Sequence, residues 1–135
     1  MKQKINKIYA SLLAAELGTS KLTPEILNYR GQTSRKIKHY LNNLLELPDL
    51  NYLEIGTLWG STFISSLYKN HLNSAYAIDI EFTPEFNDIT KNLNLDFLKF
   101  ESDCFNFDLS NIKHKINIYF YDADHKYEDQ YKALE

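Results

Sequence analysis

The sequence has little cysteine, proline or glycine and no long apolar run. Cys104 is its only cysteine, which excludes an internal disulfide framework and a zinc site built from several cysteines. The net charge is −3 and the basic residues are scattered, so no basic surface points to nucleic acid. The amino terminus resembles neither a signal peptide nor a membrane span. We therefore expect a cytoplasmic protein that binds neither nucleic acid nor a membrane.

The first fifty residues are predicted to be helical. With 135 residues, 44% of them apolar, the chain has the length and composition of one globular domain, residues 1–135. Residues Ile5, Ile8, Leu12 and Ala15 follow the spacing of a buried helix face. Ser34 is a predicted N-cap for a later helix. The apolar face expected for that helix consists of Ile37, Tyr40, Leu41, Leu44 and Leu45. Residues 1–49 would thus form a helical cap on a second part, residues 50–135.

Strands and helices alternate after residue 50. Strands are predicted at 52–55, 75–80, 97–100 and 116–121, and helices at 59–69, at 84–93 and from residue 126. Mostly apolar strands in this alternation predict a parallel sheet covered on both faces. The expected fold is α/β, a Rossmann-like three-layer sandwich with strand order 3-2-1-4.

The sequence ends within a helical pattern after the fourth predicted strand. Doubly wound folds normally continue beyond that strand, so we expect either a truncated version of a longer protein or a protected strand edge. An exposed edge would favour a homo-oligomer.

The segment from Asn51 to Thr62 carries the most information. A buried strand containing Glu54 leads into a turn with Gly56 and Gly60, and a helix follows. Glycine lets the backbone turn tightly and lie close to a ligand, and a helix amino terminus offers unpaired N–H groups. The pattern is typical of a nucleotide-cofactor site. The alternative is a strand-to-helix turn whose glycines only ease packing.

Acidic residues also follow the other predicted strands. Asp79 ends the second strand, at about the separation from the glycine turn (roughly 20 residues) at which dinucleotide folds bind a ribose. Asp103 follows the third strand and Asp122 ends the fourth. Because buried carboxylates are costly without partners, we favour a binding site over packing. Leu58 stands where the dinucleotide fingerprint has its middle glycine, which argues against a pyrophosphate cofactor.

These motifs resemble those of class I S-adenosylmethionine-dependent methyltransferases, and most of all the small-molecule and sugar O-methyltransferases. Residues 52–63 are similar to their motif E-I-G-x-x-x-G-x-S, 77–79 to the end of their second strand, 101–104 to G-D-[AS], and 118–125 to F-[IV]-D-[AG]-D-H. The resemblance covers about residues 34 to 135. It implies that Asp79 binds the ribose hydroxyls and that Asp103 and Cys104 bind the adenine region. The methionyl part would be held by Glu54, Gly56, Gly60, Ser61 and Thr62.

The resemblance also implies roles for two residues after the fourth strand. The matching aspartate is a divalent-metal ligand in the metal-dependent members, which makes Asp122 the candidate ligand of a cation such as Mg²⁺. A histidine three residues later is the general base in some sugar O-methyltransferases, which makes His125 the candidate catalytic residue. A histidine beside acids can equally be a surface or capping residue, and Asp124 fits the N-cap of the next helix.

Three functions remain open from the sequence. The leading one is methyl transfer from S-adenosylmethionine to a hydroxyl of a small-molecule or sugar acceptor, an in-line displacement. The second is a metal- and nucleotide-sugar-dependent glycosyltransferase, because Asp122-Ala-Asp124 also resembles a D-x-D motif; this interpretation leaves Glu54 and Asp79 unexplained. The third is a non-catalytic remnant that binds S-adenosylmethionine.

Overall fold

The computed structural model describes residues 2–134 in two compact units. The helical unit contains the residues up to Asp49 together with Gly60–Leu72, and the sheet unit contains Leu50–Trp59 together with the residues from Asn73 onwards. The sequence predicted a boundary near residue 50. The structure adds that the helix after the first strand groups with the amino-terminal helices.

The helical unit is built from four helices. They are α1 (Lys2–Glu16), α2 (Pro24–Asn28), α3 (Arg35–Leu44) and α4 (Ser61–Leu67). The predicted N-cap at Ser34 is confirmed, because the Ser34 hydroxyl accepts a hydrogen bond from the Ile37 backbone N–H at 3.2 Å. Pro24 is the first residue of α2. Gly18 follows α1 with a φ of 67°, the left-handed conformation that commonly ends a helix.

The predicted buried face of α1 is wrong in all but one position. Ala15 is buried, but Ile5, Ile8 and Leu12 are exposed. The other buried residue of α1 is Ser11. Small side chains allow two helix backbones to approach closely, so α1 packs on α3 through Ser11 and Ala15. Its larger apolar residues are left on the solvent side.

The buried face of α3 is more polar than its periodicity predicts. Leu41 is buried as expected, whereas Ile37 is partly exposed. Four polar residues are buried beside Leu41, namely Lys38, His39, Asn42 and Asn43. Their burial is tolerated because they bind backbone carbonyls or polar side chains. The Asn42 amide, for example, donates to the carbonyls of Ser65 and Tyr68 at 2.8 and 2.9 Å.

The sheet unit has four parallel strands in the order β3-β2-β1-β4. The strands are β1 (Asn51–Ile55), β2 (Ser74–Asp79), β3 (Leu98–Glu101) and β4 (Ile118–Tyr121), and the helices are α5 (Pro84–Asn92) and α6 (Tyr127–Lys132), with a 3-10 turn at Leu109–Asn111. The predicted α/β, Rossmann-like fold and its 3-2-1-4 order are confirmed. Because all strands are parallel, their last residues lie at one edge of the sheet, which we call the carboxyl edge.

One face of the sheet carries a core of Leu53, Ile55, Tyr76 and Ile78. The register explains this selection, because Leu53 lies opposite Tyr76 and Ile55 opposite Ile78, so the four side chains share a face. Phe100 of β3, and Cys104 and Phe107 of the chain that follows it, pack against this core. This packing fixes the positions of β1 and β2, and it therefore also fixes where the turns that follow them lie at the carboxyl edge.

Among residues 2–134, no helix is both long enough and apolar enough to cross a membrane.

Candidate functional site

Gly56 is the residue at which the turn after β1 meets the end of β4. Its N–H donates to the Ile78 carbonyl at 2.9 Å, and the Asp122 N–H donates to the Ile55 carbonyl at 2.8 Å. With a φ of 87°, a Cβ at position 56 would overlap the backbone of Asp122 and Ala123. This close backbone contact within the sheet unit is enough to require a glycine at position 56. Packing therefore explains the presence of Gly56, and a bound ligand is not needed to explain it.

The Asp79 carboxylate fixes the rest of the glycine turn. Its Oδ2 accepts the Leu58 N–H at 2.6 Å and its Oδ1 accepts the Ile80 N–H at 2.7 Å. Leu58 has a φ of 47°, an unfavourable conformation for a leucine that this charged hydrogen bond helps to hold. Each carboxylate oxygen has a second lone pair, so Asp79 keeps acceptor capacity for hydroxyl groups.

Glu54 lies inside the sheet unit, one residue before the end of β1. It is fully buried, and the Tyr52 hydroxyl donates to its Oε2 at 2.5 Å. A buried carboxylate is expensive unless it is hydrogen-bonded, and Tyr52 meets part of that requirement. Glu54 is therefore held in place by its own strand at the base of the glycine turn.

Thr57 was not singled out from the sequence. It lies in the glycine turn and is buried, and its Oγ1 has no hydrogen-bond partner within residues 2–134. An unsatisfied buried hydroxyl costs about 1–3 kcal/mol, and such groups often mark a site where another molecule supplies the bond. The only sequence signal was a hydroxyl residue directly after the first glycine of the turn.

Asp103 and Cys104 form the turn after β3. The Asp103 carboxylate accepts the Phe105 N–H at 2.9 Å and the Asn106 side-chain amide at 2.7 Å. Burial, together with the charge of Asp103, raises the pKa of the Cys104 thiol. The thiol is therefore protonated at neutral pH, which argues against a nucleophile. Cys104 packs against the sheet core, a position that is suited to a residue in the wall of a binding site.

Asp122 and His125 form an acid–imidazole pair just after β4. The His125 Nε2 lies 3.7 Å from Asp122 Oδ1, and the histidine is largely exposed. Burial raises the pKa of the Asp122 carboxyl, and the nearby His125 acts against that rise. Such a pair can take up a proton from a bound hydroxyl and stabilise the imidazolium that results.

The predicted N-cap role of Asp124 is wrong. Helix α6 begins at Tyr127 with Lys126 at its N-cap. The Asp124 carboxylate accepts the Lys126 N–H at 3.0 Å and lies 3.4 Å from the Lys126 ammonium. Asp124 therefore bends the chain two residues ahead of the helix cap, a common function of aspartate in turns.

The remaining predicted cofactor residues belong to the helical unit. Gly60 has a φ of 80° and is the N-cap of α4, while Ser61 and Thr62 are buried at its start. The helix begins at Ser61 and not at the predicted Trp59, because Leu58 and Gly60 both have positive φ. Within the helical unit, Gly31 packs so closely on Ser61 that a side chain at 31 would overlap it. The Ser61 side chain is thus covered by neighbouring chain.

The described part of the chain does not assemble a metal site. Within residues 2–134, no three His, Cys, Asp or Glu side chains come together in a way that could hold a metal ion. Mg²⁺ requires an octahedral set of oxygens, and near Asp122 the second carboxylate, Asp124, is bonded to Lys126. The residues present therefore do not fit a resident cation.

No protein-family model matches the chain, and a search of the curated proteins finds no significant match. The class of protein is thus defined by the fold and the site. The chain has an α/β fold with a Rossmann-like strand order. At the carboxyl edge, Asp79 ends β2 and Asp122 follows β4, and these two strands flank β1 and its turn at Gly56.

Proposed function

We propose that this protein is an S-adenosylmethionine-dependent methyltransferase that methylates a hydroxyl group of a small molecule or sugar. The observation that carries the proposal is the acidic character of the turns at the carboxyl edge, where Asp79, Asp103 and Asp122 follow or end three strands. S-adenosylmethionine has a sulfonium, an ammonium group and a ribose diol. Carboxylates attract the two cations and accept hydrogen bonds from the diol.

The same charges disfavour a diphosphate ligand. Phosphates are bound by arginine, lysine, metal ions or the N–H groups of glycine-rich turns. At Gly56 the space for close approach is filled by the backbone of Asp122 and Ala123, and Asp124 of the D-x-D motif is bonded to Lys126. A nucleotide-sugar glycosyltransferase is therefore the weaker proposal.

Residue roles in the proposed site follow from the contacts. Asp79 binds the ribose hydroxyls through its remaining lone pairs while it holds Leu58. The Thr57 hydroxyl, buried without a partner in the described chain, donates to the methionyl carboxylate. Glu54 and Gly56 shape the methionyl side, and Asp103 with Cys104 shapes the adenine side.

The proposed reaction is an in-line displacement. The acceptor oxygen forms a bond to the methyl carbon as the carbon–sulfur bond breaks, and S-adenosylhomocysteine leaves as a neutral thioether. His125 accepts the hydroxyl proton, and the Asp122 carboxylate, 3.7 Å away, stabilises the imidazolium. Most of the rate enhancement would come from holding the two reactants in line, with general-base catalysis adding about 10²–10⁴-fold.

Calorimetric titration tests the proposal. We expect S-adenosylmethionine to bind, S-adenosylhomocysteine to bind more weakly because it lacks the sulfonium charge, and a nucleotide sugar with Mg²⁺ not to bind. Binding of the nucleotide sugar alone would refute the proposal in favour of the glycosyltransferase. Binding of S-adenosylmethionine without turnover over a panel of hydroxylated acceptors would refute the catalytic part and identify a non-catalytic binder.

A further inference from the structure

One face of the sheet borders a cavity of about 390 Å³ within the sheet unit. The floor of this cavity is formed by β1 and β4. Leu53 lies opposite Tyr119 and Ile55 lies opposite Tyr121, so these side chains share a face. The segment after β3 and helix α6 border the rest of the cavity. Its volume lies in the range of small-molecule sites, about 300–1,000 Å³.

The lining of the cavity is largely apolar and aromatic. Phe105 and the two tyrosines of β4 contribute aromatic rings, while Cys104 and Ala133 contribute small side chains. Burial raises the pKa of Tyr119 to about 12, so its hydroxyl is a neutral hydrogen-bond donor. Aromatic rings pack well against one another in offset or edge-to-face arrangements. The lining therefore favours a planar aromatic ligand.

Lys132 gives the cavity a positive charge. Of the described residues that line the cavity, only Lys132 is charged at neutral pH. Its ammonium lies 4.4 Å from the centroid of the Phe105 ring. Within residues 2–134 it forms no ion pair, although Glu128 and Asp129 precede it by about one turn of α6. A cation–π contact holds an ammonium without neutralising its charge, so this group can attract an anion.

The cavity is too small for a helix of a partner protein. A cube of 390 Å³ has an edge of roughly 7 Å, which is narrower than an α-helix with its side chains, about 10–12 Å. Helix α6 of the same chain already borders the cavity. The volume suits a molecule of one or two fused rings.

We propose that this cavity binds a small aromatic carboxylate, whose ring packs between the β1–β4 face and Phe105 and whose carboxylate pairs with Lys132. Burial of the ring supplies most of the affinity. Because Lys132 is exposed, its charge contributes modestly to affinity and mainly selects an anion. The site lies on the face of the sheet and not in the turns at the carboxyl edge, and the proposal does not rest on methyl transfer.

Calorimetric titration with 2-naphthoate and with the uncharged 2-naphthalenemethanol tests the proposal. Wild-type protein should bind 2-naphthoate at one site, about threefold more tightly than the alcohol. Lys132→Met should remove this preference. Lys69→Met is the matched control, because the Lys69 ammonium also lies over an aromatic ring, 5.2 Å from the Tyr68 centroid, and this variant should keep the preference. Equal affinities for the acid and the alcohol in wild type, or a preference that survives Lys132→Met, would overturn the proposal.

Alkylation of the sole cysteine locates the bound ligand. Because Cys104 lines the cavity, saturating 2-naphthoate should slow its reaction with iodoacetamide several-fold. Ala133→Phe, which fills the cavity from α6, should abolish binding and this ligand-dependent protection. Leu134→Phe is the control at an exposed neighbour outside the lining and should change neither.

Three results of the alkylation experiment would also overturn the proposal. The first is binding without protection of Cys104, and the second is binding that survives Ala133→Phe. The third is protection that increases with protein concentration in the absence of 2-naphthoate, which would show that a second copy of the chain covers the cavity.

Discussion

Asp79 has a structural role and a proposed binding role at the same time. Its carboxylate accepts the N–H groups of Leu58 and Ile80, which holds the glycine turn in the conformation that the site requires. An Asp79→Ala variant would leave both N–H groups without their acceptor, so it should lose stability as well as cofactor affinity. Asparagine at position 79 separates the structural role from the binding role better than alanine does.

The first prediction concerns Asp79→Asn. The variant keeps one oxygen for a backbone N–H but loses the charge, and hydrogen bonds to charged groups contribute about 1.5–3 kcal/mol. We expect S-adenosylmethionine to bind about 10–100-fold more weakly in a calorimetric titration. Asp108→Asn is the control, because Asp108 is exposed and caps the 3-10 turn. Equal affinities for Asp79→Asn and wild type would show that the ribose is bound elsewhere.

The second prediction concerns Gly56→Ala. The methyl group would overlap the Asp122 backbone at a residue with positive φ, so we expect the free energy of unfolding to fall by about 3 kcal/mol. Gly18→Ala is the matched control, since Gly18 also has a positive φ but open space around it. That variant should lose only about 1 kcal/mol. Similar losses for both variants in urea denaturation would contradict the close packing at Gly56.

At the level of single elements, α3 buries polar side chains that are hydrogen-bonded to neighbouring segments. The Lys38 ammonium donates to the carbonyls of Ile26, Leu27 and Tyr29, and so caps the end of α2. His39 Nδ1 lies 2.7 Å from the Ser20 hydroxyl. These bonds tie α3 to the segments before it, and they make the stability of the helical unit sensitive to pH.

The third prediction concerns this pH dependence. Burial, followed by the positive charge of Arg35, lowers the pKa of His39 below 6.5. The unfolded chain then takes up a proton before the folded chain does, so stability is fully present above pH 6.5 and is lost as the pH falls towards the folded-state pKa. We expect His39→Gln to flatten the loss of stability on acidification, measured by urea denaturation at a series of pH values. His71→Gln, at an exposed histidine, should retain the wild-type slope; a His39→Gln slope equal to wild type would contradict the burial effect.

The elements themselves could largely be predicted from the sequence. Local signals such as the Ser34 cap and the glycine turn act within a few residues, and each is present in the structure. The exposed apolar residues of α1 and the buried polar residues of α3 could not be predicted, because a prediction from periodicity places apolar residues on the buried side of a helix. The bond from Leu58 to Asp79 depends on the pairing of β1 with β2, which no local pattern contains.

At the level of the whole molecule, the parallel strand order brings the acidic turns together at the carboxyl edge of the sheet unit. The net charge of −3 agrees with a cationic ligand and not with a polyanion.

The central claim is that S-adenosylmethionine binds at the carboxyl edge of the sheet. Amide chemical-shift mapping on ¹⁵N-labelled protein, titrated with S-adenosylhomocysteine, tests it most directly. We predict the largest shifts in the turns after β1, β2 and β4, at Thr57, Leu58, Ile80 and Ala123. Saturable shifts confined to residues away from these turns would place the ligand elsewhere, and no shifts at all would show that it does not bind.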